Sequence, residues 1–255
     1  MLKYLKYFIP AVTGLLTIYI FTLGEYYPTI FFICFSTFLI IGDWILPRDM
    51  TIQKFSYPFF LNLSIYINLP ILSFLVFLVV SFLSGVGDDR YIRILEYFLN
   101  IDYFSLINSF NIIDKVAMII QTTLSIGMLG TVPGHELTHR KKNKFDMFLG
   151  NWLLAFSCDC TFAIEHVYGH HKNVCLPEDP ASAKRKENIY AFIINAIIKE
   201  QSVGWRIENK RLDKNGFNIL SLKNRMIIGY LRSIIIMLIS YLISGALGLL
   251  FFLII

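Results

Sequence analysis

All five histidines of this chain lie within one window of 37 residues. They form two groups, His135 with His139 and then His166, His170 and His171. Residues four apart on an α-helix project from the same face, about one turn apart. The spacing of His135 and His139, which His166 and His170 repeat, therefore predicts helices that direct pairs of imidazoles toward a metal ion.

The clustering favours a metal site over the ordinary roles of a histidine. A single histidine in such a sequence is more often a hydrogen-bonded polar residue or a side chain at a membrane surface. Ionisable groups at a membrane are energetically costly unless they serve a function, and here five stand together beyond the end of an apolar segment. We therefore predict that all five histidines are metal ligands and form the catalytic centre.

The ligand types indicate which metal is bound. His135, Glu136 and His139 match the His-Glu-x-x-His motif of zinc proteases, in which Glu136 would activate a water molecule. The three further histidines exceed what a catalytic zinc ion takes from the protein. A set of five imidazoles without thiolates favours iron and suggests more than one ion.

Three carboxylates could support the metal ligands from outside. Glu136 and Glu165 either orient ligand histidines or pair with neighbouring basic side chains. Asp43 either accepts a hydrogen bond from a metal-bound imidazole or ends a membrane helix beside Arg48. Both interpretations stay open for each of the three residues.

Other polar residues near the second histidine group have simpler interpretations. Glu178 and Asp179 are predicted to form a turn before Pro180. Cys158 and Cys160 stand in an apolar stretch, where cysteines are more often packing groups than ligands.

The composition places these residues in a membrane protein. Hydrophobic residues make up 56% of the chain and charged residues 16%, and the mean hydropathy is +0.60. Four cysteines without regular spacing argue against a disulfide-stapled secreted domain, and the first apolar stretch has no cleavage site after it, so it is predicted to remain as an anchor. The net charge of +5 sits mostly in one block, so no nucleic-acid partner is predicted.

Apolar segments predict an all-α, polytopic membrane helical bundle. Crossing the hydrocarbon layer takes about 20 apolar residues, and four segments approach that length: 7–23, 29–46, 58–83 and 112–132. A fifth stretch, 145–164, contains Asn151, Asp159 and two cysteines, so it either crosses, dips into the membrane or lies at the interface. The last segment, 226–255, is predicted to begin a helical hairpin at a turn formed by Ser244 and Gly245.

Charge predicts the orientation of a single domain built from three parts. Residues 140–225 hold 15 of the 23 Lys and Arg residues against nine Asp and Glu residues, whereas 85–109 holds two Arg against four acids. By the positive-inside tendency, 140–225 is cytoplasmic and 85–109 is outside. The domain then consists of four transmembrane helices in 1–134, a cytoplasmic histidine-rich helical segment in 135–225, and the last hairpin from 226.

Residues 135–140, His-Glu-Leu-Thr-His-Arg, and 165–171, Glu-His-Val-Tyr-Gly-His-His, resemble the first two histidine boxes of the membrane alkane 1-monooxygenases. These are integral-membrane non-haem di-iron hydroxylases related to fatty acid desaturases and xylene monooxygenase. Residues 177–182, 205–208 and 210–212 resemble the segment that follows the boxes in the same family, and desaturases in general share the boxes but not that segment. The similarity begins at Gly42-Asp43-Trp44 and continues to Ile255.

The resemblance implies a desaturase-like fold and an O2-dependent terminal hydroxylation of medium-chain linear alkanes. It implies two iron ions, rubredoxin as electron donor, contact with membrane lipid, and a bacterial inner membrane with the histidine boxes on the cytoplasmic side. A fatty acid desaturase or a xylene-type aromatic-methyl monooxygenase is the nearer alternative. A membrane zinc protease or a non-catalytic remnant is a more distant one.

The family pattern also includes motifs that these 255 residues lack. A later Asn-Tyr-x-Glu-His-Tyr-Gly motif and a third box of the His-x-x-His-His type would supply four more histidine ligands. We therefore expect this sequence to be an amino-terminal fragment that inserts into the membrane, binds iron weakly, and hydroxylates octane only when a part with these motifs completes it.

Overall fold

The computed structural model describes residues 2–47, 50 and 53–255, so Arg48, the predicted neighbour of Asp43, lies outside the described residues. Every regular element in this described part is helical, which confirms the predicted all-α class. A 3-10 turn forms at Lys6–Phe8, and π-helical turns form at Ile126–Thr131 and His166–His170. The α-helices are α1 Leu2–Leu5, α2 Ile9–Phe21, α3 Tyr27–Ile45, α4 Pro58–Tyr66, α5 Asn68–Ser84, α6 Asp89–Leu99, α7 Tyr103–Ser109, α8 Ile112–Ser125, α9 Val132–His139, α10 Lys144–Ala155, α11 Phe162–Glu165, α12 His171–Asn173, α13 Ile189–Lys214 and α14 Arg225–Ile254.

Five helical stretches of the described chain are long and apolar enough to cross a membrane. They are Lys3–Phe21, Tyr27–Ile45, Pro58–Ser84, Ile112–His139 and Arg225–Ile254. The prediction of a polytopic membrane bundle is thereby confirmed. The fourth stretch runs beyond the predicted end at residue 132 and includes the first histidine pair.

The fifth apolar stretch of the sequence, 145–164, does not form one continuous helix. Helix α10 has 12 residues, which gives it a length of about 18 Å, and turns separate it from α11. The hydrocarbon layer is about 30 Å thick. Helix α10 alone is therefore too short to cross it.

By its internal contacts the chain forms two compact units, one of residues 1–129 with 237–255 and one of residues 130–236. In the first unit, α2 packs on α5 at Gly14, where an added Cβ would lie only 2.9 Å from Ile71 Cγ2. Helix α3 packs along α8, and the Thr29 hydroxyl donates a hydrogen bond to Asp114. Asp114 also completes a capping box with Asn111 at the start of α8. Close approach of α2 to α5 and the hydrogen bond between α3 and α8 thus join membrane helices of this unit.

The second unit is built on the crossing of α9 and α10. Gly134 and Gly150 face each other there, and a Cβ on either glycine would lie 3.1 Å from the carbonyl oxygen of the other. Small residues at such crossings let helix backbones approach closely. This crossing fixes the position of α9, which carries His135 and His139.

A buried carboxylate ties α13 to the start of α14 in the same unit. Glu208 is fully buried. It accepts hydrogen bonds from the guanidinium groups of Arg211 and Arg225 at 2.7–2.9 Å and from the Arg225 backbone N–H at 2.7 Å. Burial alone would raise the pKa of Glu208, but the hydrogen bonds from Arg211 and Arg225 outweigh it and lower the pKa to about 2. The carboxylate therefore stays charged and holds the two helices together at neutral pH.

Helix α14 is interrupted at the turn that the sequence predicts. Ser244 has φ −140° and ψ 22°, and Gly245 has φ +60° and ψ −153°. A positive φ of this kind is accessible to glycine at little cost. Residues 225–254 therefore consist of two helical pieces joined at Ser244 and Gly245.

The α9–α10 crossing predicts a destabilising glycine substitution. In Gly150→Ala the new Cβ would lie 2.9 Å from Leu137 Cβ and 3.1 Å from the Gly134 carbonyl oxygen. Overpacking of this kind costs about 1–3 kcal/mol, so the midpoint of thermal unfolding in detergent should fall by several degrees. Gly127→Ala is the matched control, because no atom lies within 4 Å of the Cβ that it would add. Equal midpoints for the two variants would contradict this packing.

Candidate metal centre

The first histidine pair lies on the last two turns of a long apolar helical stretch. A π-helical turn at Ile126–Thr131 leads into α9, which has Pro133 in its first turn. His135 and His139 are four residues apart on α9, and their ring centroids are 4.8 Å apart. The predicted one-face arrangement of this pair is therefore present.

The second histidine group is arranged differently from the sequence prediction. The rings of His166 and His170 do stack, as their spacing predicts, with 5.2 Å between centroids, but the chain forms a π-helical turn at His166–His170 instead of an α-helix. In an α-helix, residues five apart point about 140° away from each other. A π-turn closes i→i+5 hydrogen bonds instead, which brings His171 beside His166 with 3.1 Å between their Nε2 atoms.

The two groups meet in one cluster, which we call the histidine cluster: His135, His139, His166 and His171. His135 Nε2 lies 3.0 Å from His166 Nε2. One ring nitrogen from each of the four side chains lies within 4.8 Å of the corresponding nitrogen of every other. Among the described residues, no thiol or carboxylate belongs to this group. Two chain segments about 30 residues apart in sequence therefore supply one all-imidazole donor set.

The cluster fits a divalent metal ion. Two imidazole nitrogens bound side by side to one ion, each at about 2.1 Å from it, are separated by roughly 3 Å, and the observed Nε2 separations are 3.0 and 3.1 Å. A single Nε2–H of His166 can be donated to only one of its two neighbours. A metal ion would satisfy all the converging lone pairs together. An all-imidazole set of this kind suits zinc, copper, iron or nickel.

The electrostatics of the cluster keep His166 in the neutral, metal-binding form. Burial and, after it, the neighbouring imidazoles, His135 first, together lower the pKa of His166 to about 4. His166 also stacks on Phe162 with 4.4 Å between ring centroids. Its lone pair is therefore available near neutral pH, since no proton competes for it.

His170 stands beside the cluster and is oriented by Asp179. Its Nδ1 donates a hydrogen bond to both carboxylate oxygens of Asp179, at 3.0 and 3.1 Å. Because a carboxylate only accepts, Nδ1 carries the proton and Nε2 of the neutral ring keeps its lone pair. A carboxylate partner of this kind commonly orients metal-bound histidines, so His170 is prepared to act as a ligand.

Asp179 is the residue at the site to which the sequence assigned no chemical role. It does form the predicted turn, since it accepts hydrogen bonds from the Ala181 backbone N–H and the Ser182 hydroxyl. Burial alone would raise the pKa of Asp179, but hydrogen bonds from Ser182 and His170 hold it below its usual range. Its position in the segment 177–182, which follows the second box, is the one sequence signal that could have singled it out.

Glu165 and Glu136 lie in opposite environments. Glu165 is buried, and its Oε1 has no hydrogen-bond partner. Burial and, after it, the nearby carboxylates of Glu200 and Asp179 together raise the pKa of Glu165 to about 7. Glu136 is largely exposed and forms an ion pair with Arg140 at 3.0 Å. The sequence left two interpretations of Glu136 open, orientation of a ligand histidine or pairing with a basic neighbour. The structure shows the pairing, with Arg140.

Two further predictions fall outside the cluster. Asp43 is exposed near the end of α3, in the unit of residues 1–129 with 237–255, and its role as a hydrogen-bond acceptor stays a prediction. Cys160 is buried and packs against Gly229 of α14. Neither Cys160 nor Cys158 belongs to the histidine cluster.

Several known proteins are similar in sequence to part of this chain. Alkane 1-monooxygenase 1 of Pseudomonas aeruginosa is 34% identical over 139 residues, which cover 54% of this chain and 36% of that enzyme. Alkane 1-monooxygenase 2 of the same organism is 33% identical over 141 residues, or 55% of this chain and 37% of that enzyme. The hydroxylase component of the xylene/toluene monooxygenase of Pseudomonas putida is 29% identical over 251 residues, or 95% of this chain and 60% of that protein.

The alkane monooxygenases are matched over little more than a third of their length. The fatty acid desaturase family model matches residues 115–255, which is more than half of the chain and includes all five histidines. With the histidine cluster and the membrane helices, this match identifies the chain: it belongs to the fatty acid desaturase family, and its relatives include alkane and xylene monooxygenases.

Proposed function

We propose that this chain provides the first two histidine boxes of a membrane alkane 1-monooxygenase, which uses O2 to hydroxylate the terminal carbon of medium-chain linear alkanes. The observation that carries the proposal is the convergence of four imidazoles from two separate segments of a membrane protein. Membership of the desaturase family and similarity to alkane monooxygenases support it.

The residues that would hold iron are the four of the histidine cluster, with His170 as a fifth ligand oriented by Asp179. Iron held there would supply the binding and reduction of dioxygen that hydroxylation of a C–H bond requires. The chain itself supplies neutral imidazoles in a fixed arrangement. Asp179 keeps the proton of His170 on Nδ1, which leaves Nε2 free for a metal.

The position of the cluster suits an apolar substrate. His135 and His139 lie at the end of the membrane-spanning stretch Ile112–His139, so the metal site is directly continuous with an apolar helix. A linear alkane partitions into the hydrocarbon layer of the membrane. We infer that the substrate lies along the membrane helices with its terminal methyl group toward the histidine end.

The electrons are proposed to come from rubredoxin on the cytoplasmic side of a bacterial inner membrane. The 15 Lys and Arg residues of 140–225 support both parts of this proposal. A basic segment of this kind tends to stay in the cytoplasm, and it would attract an acidic electron carrier.

A second candidate is hydroxylation of an aromatic methyl group. It is favoured by one specific observation, the similarity to a xylene/toluene monooxygenase component over 95% of the chain. Both reactions insert one oxygen atom of O2 into the C–H bond of a methyl group, so the same histidine cluster would serve either. The apolar substrate distinguishes the two candidates.

The proposed site predicts iron binding through histidine. Protein that carries this sequence together with the family's later histidine motifs should contain more than one iron per chain by elemental analysis. His139→Ala, His170→Ala or His171→Ala should each remove most of that iron, because loss of one imidazole leaves a weakly held ion. Lys172→Ala, a change of an exposed neighbour outside the cluster, should keep it. Stoichiometric zinc that persists in His170→Ala would favour the zinc protease instead.

The proposed reaction is tested by product analysis. Membranes that contain the same protein, supplied with rubredoxin, its reductase and NADH, should convert octane to 1-octanol under O2. His139→Ala should lower the rate by at least about 100-fold, since the iron is lost with the ligand, and Lys172→Ala should not change it. Conversion of m-xylene but not octane would select the second candidate. A double bond in a fatty acyl chain without any alcohol would contradict both.

A further inference from the structure

A cavity of about 400 Å3 lies in the unit of residues 130–236, on the side of α10 and α11 where α14 begins. Its walls combine two chemical types. One part is apolar and includes Met147, Phe148, Ile164 and Ile228. The other part is cationic, and it is formed by Lys141, Lys144, Lys223, Arg225 and Arg232. We call this space the basic cavity.

The positive charge of the basic cavity is not balanced by the protein. Among the described residues, no carboxylate lines it. Arg225 is paired with Glu208, and the Lys141 ammonium lies over the Tyr168 ring at 4.0 Å from its centroid. No ion pair of Lys144, Lys223 or Arg232 with a carboxylate is present in the described part of the chain. The cavity therefore carries an excess of positive charge.

Of these cations, Arg232 has the greatest need of an anionic partner. It lies within the membrane-spanning stretch Arg225–Ile254 and is partly buried. Its side-chain hydrogen bond to Asn151 Oδ1 is long, at 3.4 Å. A cation inside a membrane segment is costly unless it meets a partner. The amide of Asn151 is neutral, so the guanidinium group still lacks a counter-charge.

We propose that the basic cavity binds the head group of an anionic phospholipid. The phosphate would lie among Lys144, Lys223 and Arg232, and the first part of the acyl chains would cover the apolar wall. Basic pockets beside membrane helices on the cytoplasmic side bind anionic head groups in this way. The apolar wall and the beginning of α14 at the cavity favour a lipid over a soluble anion. Binding of a lipid in this cavity requires neither iron nor the hydroxylation reaction.

The test is native mass spectrometry of the purified protein in detergent with added dioleoyl phosphatidylglycerol or dioleoyl phosphatidylcholine. One phosphatidylglycerol should bind at least about tenfold more tightly than phosphatidylcholine. Arg232→Gln and Lys144→Gln should each weaken phosphatidylglycerol binding at least fivefold. Arg232→Lys should retain most of it, because the charge remains. Lys142→Gln is the matched control, since this lysine lies two residues before Lys144 but does not line the cavity, and it should bind like the unchanged protein.

Several results would overturn the proposal. Equal affinity for the two lipids would show that the cavity does not distinguish their head groups. So would a loss of phosphatidylglycerol affinity in Lys142→Gln as large as in Lys144→Gln. Full displacement of phosphatidylglycerol by 10 mM inorganic phosphate would identify a soluble anion as the ligand. If Arg232→Gln and Lys144→Gln leave lipid binding unchanged but weaken association with rubredoxin, the cavity serves a protein partner. Thermal unfolding of each variant shows whether it is folded.

Discussion

The arrangement of the second unit depends on one constraint: four imidazole nitrogens from two segments must face a common point. The π-turn at His166–His170 satisfies it, because it directs His171 toward His166 and leaves His170 to Asp179. The wide turn has to be held by its surroundings. Gly169 allows Glu165 to lie against the turn, and a Cβ at Gly169 would come within 3.2 Å of Ile207 Cδ1 on α13. The turn, the buried carboxyl group and α13 are therefore packed as one body.

Because the four imidazoles must face a common point, both histidine groups need helix contacts that fix their positions. The first histidine pair is positioned by the Gly134–Gly150 crossing, and the second is backed by α13, which Glu208 joins to α14. Helix α9 and the start of α14 belong to stretches long and apolar enough to cross a membrane, so elements of the membrane helices support the polar site. A metal ion between the two histidine groups would add a further link, since it binds the folded arrangement and not the separated segments.

Much of this could be predicted from the sequence, for identifiable reasons. The membrane segments follow from length and hydropathy, because the hydrocarbon layer imposes both. The pair His135 and His139 follows from α-helical spacing. The pair His166 and His171 could not be predicted, because a π-turn has no spacing signature and depends on the packing of Gly169 and α13. The link between His170 and Asp179 was also hidden, since it joins a helix to a turn nine residues later. The sequence shows only the surplus of Lys and Arg in 140–225. The structure shows that some of these side chains line one cavity.

X-ray absorption at the iron edge of the purified protein shows whether the converged histidines hold the metal. We expect a first shell of nitrogen and oxygen donors at roughly 2.1 Å, with the outer-shell scattering pattern of several imidazoles. That pattern should weaken in His171→Gln, since His171 reaches His166 through the π-turn. A shell of sulfur at about 2.3 Å, or an imidazole pattern unchanged in His171→Gln, would contradict it.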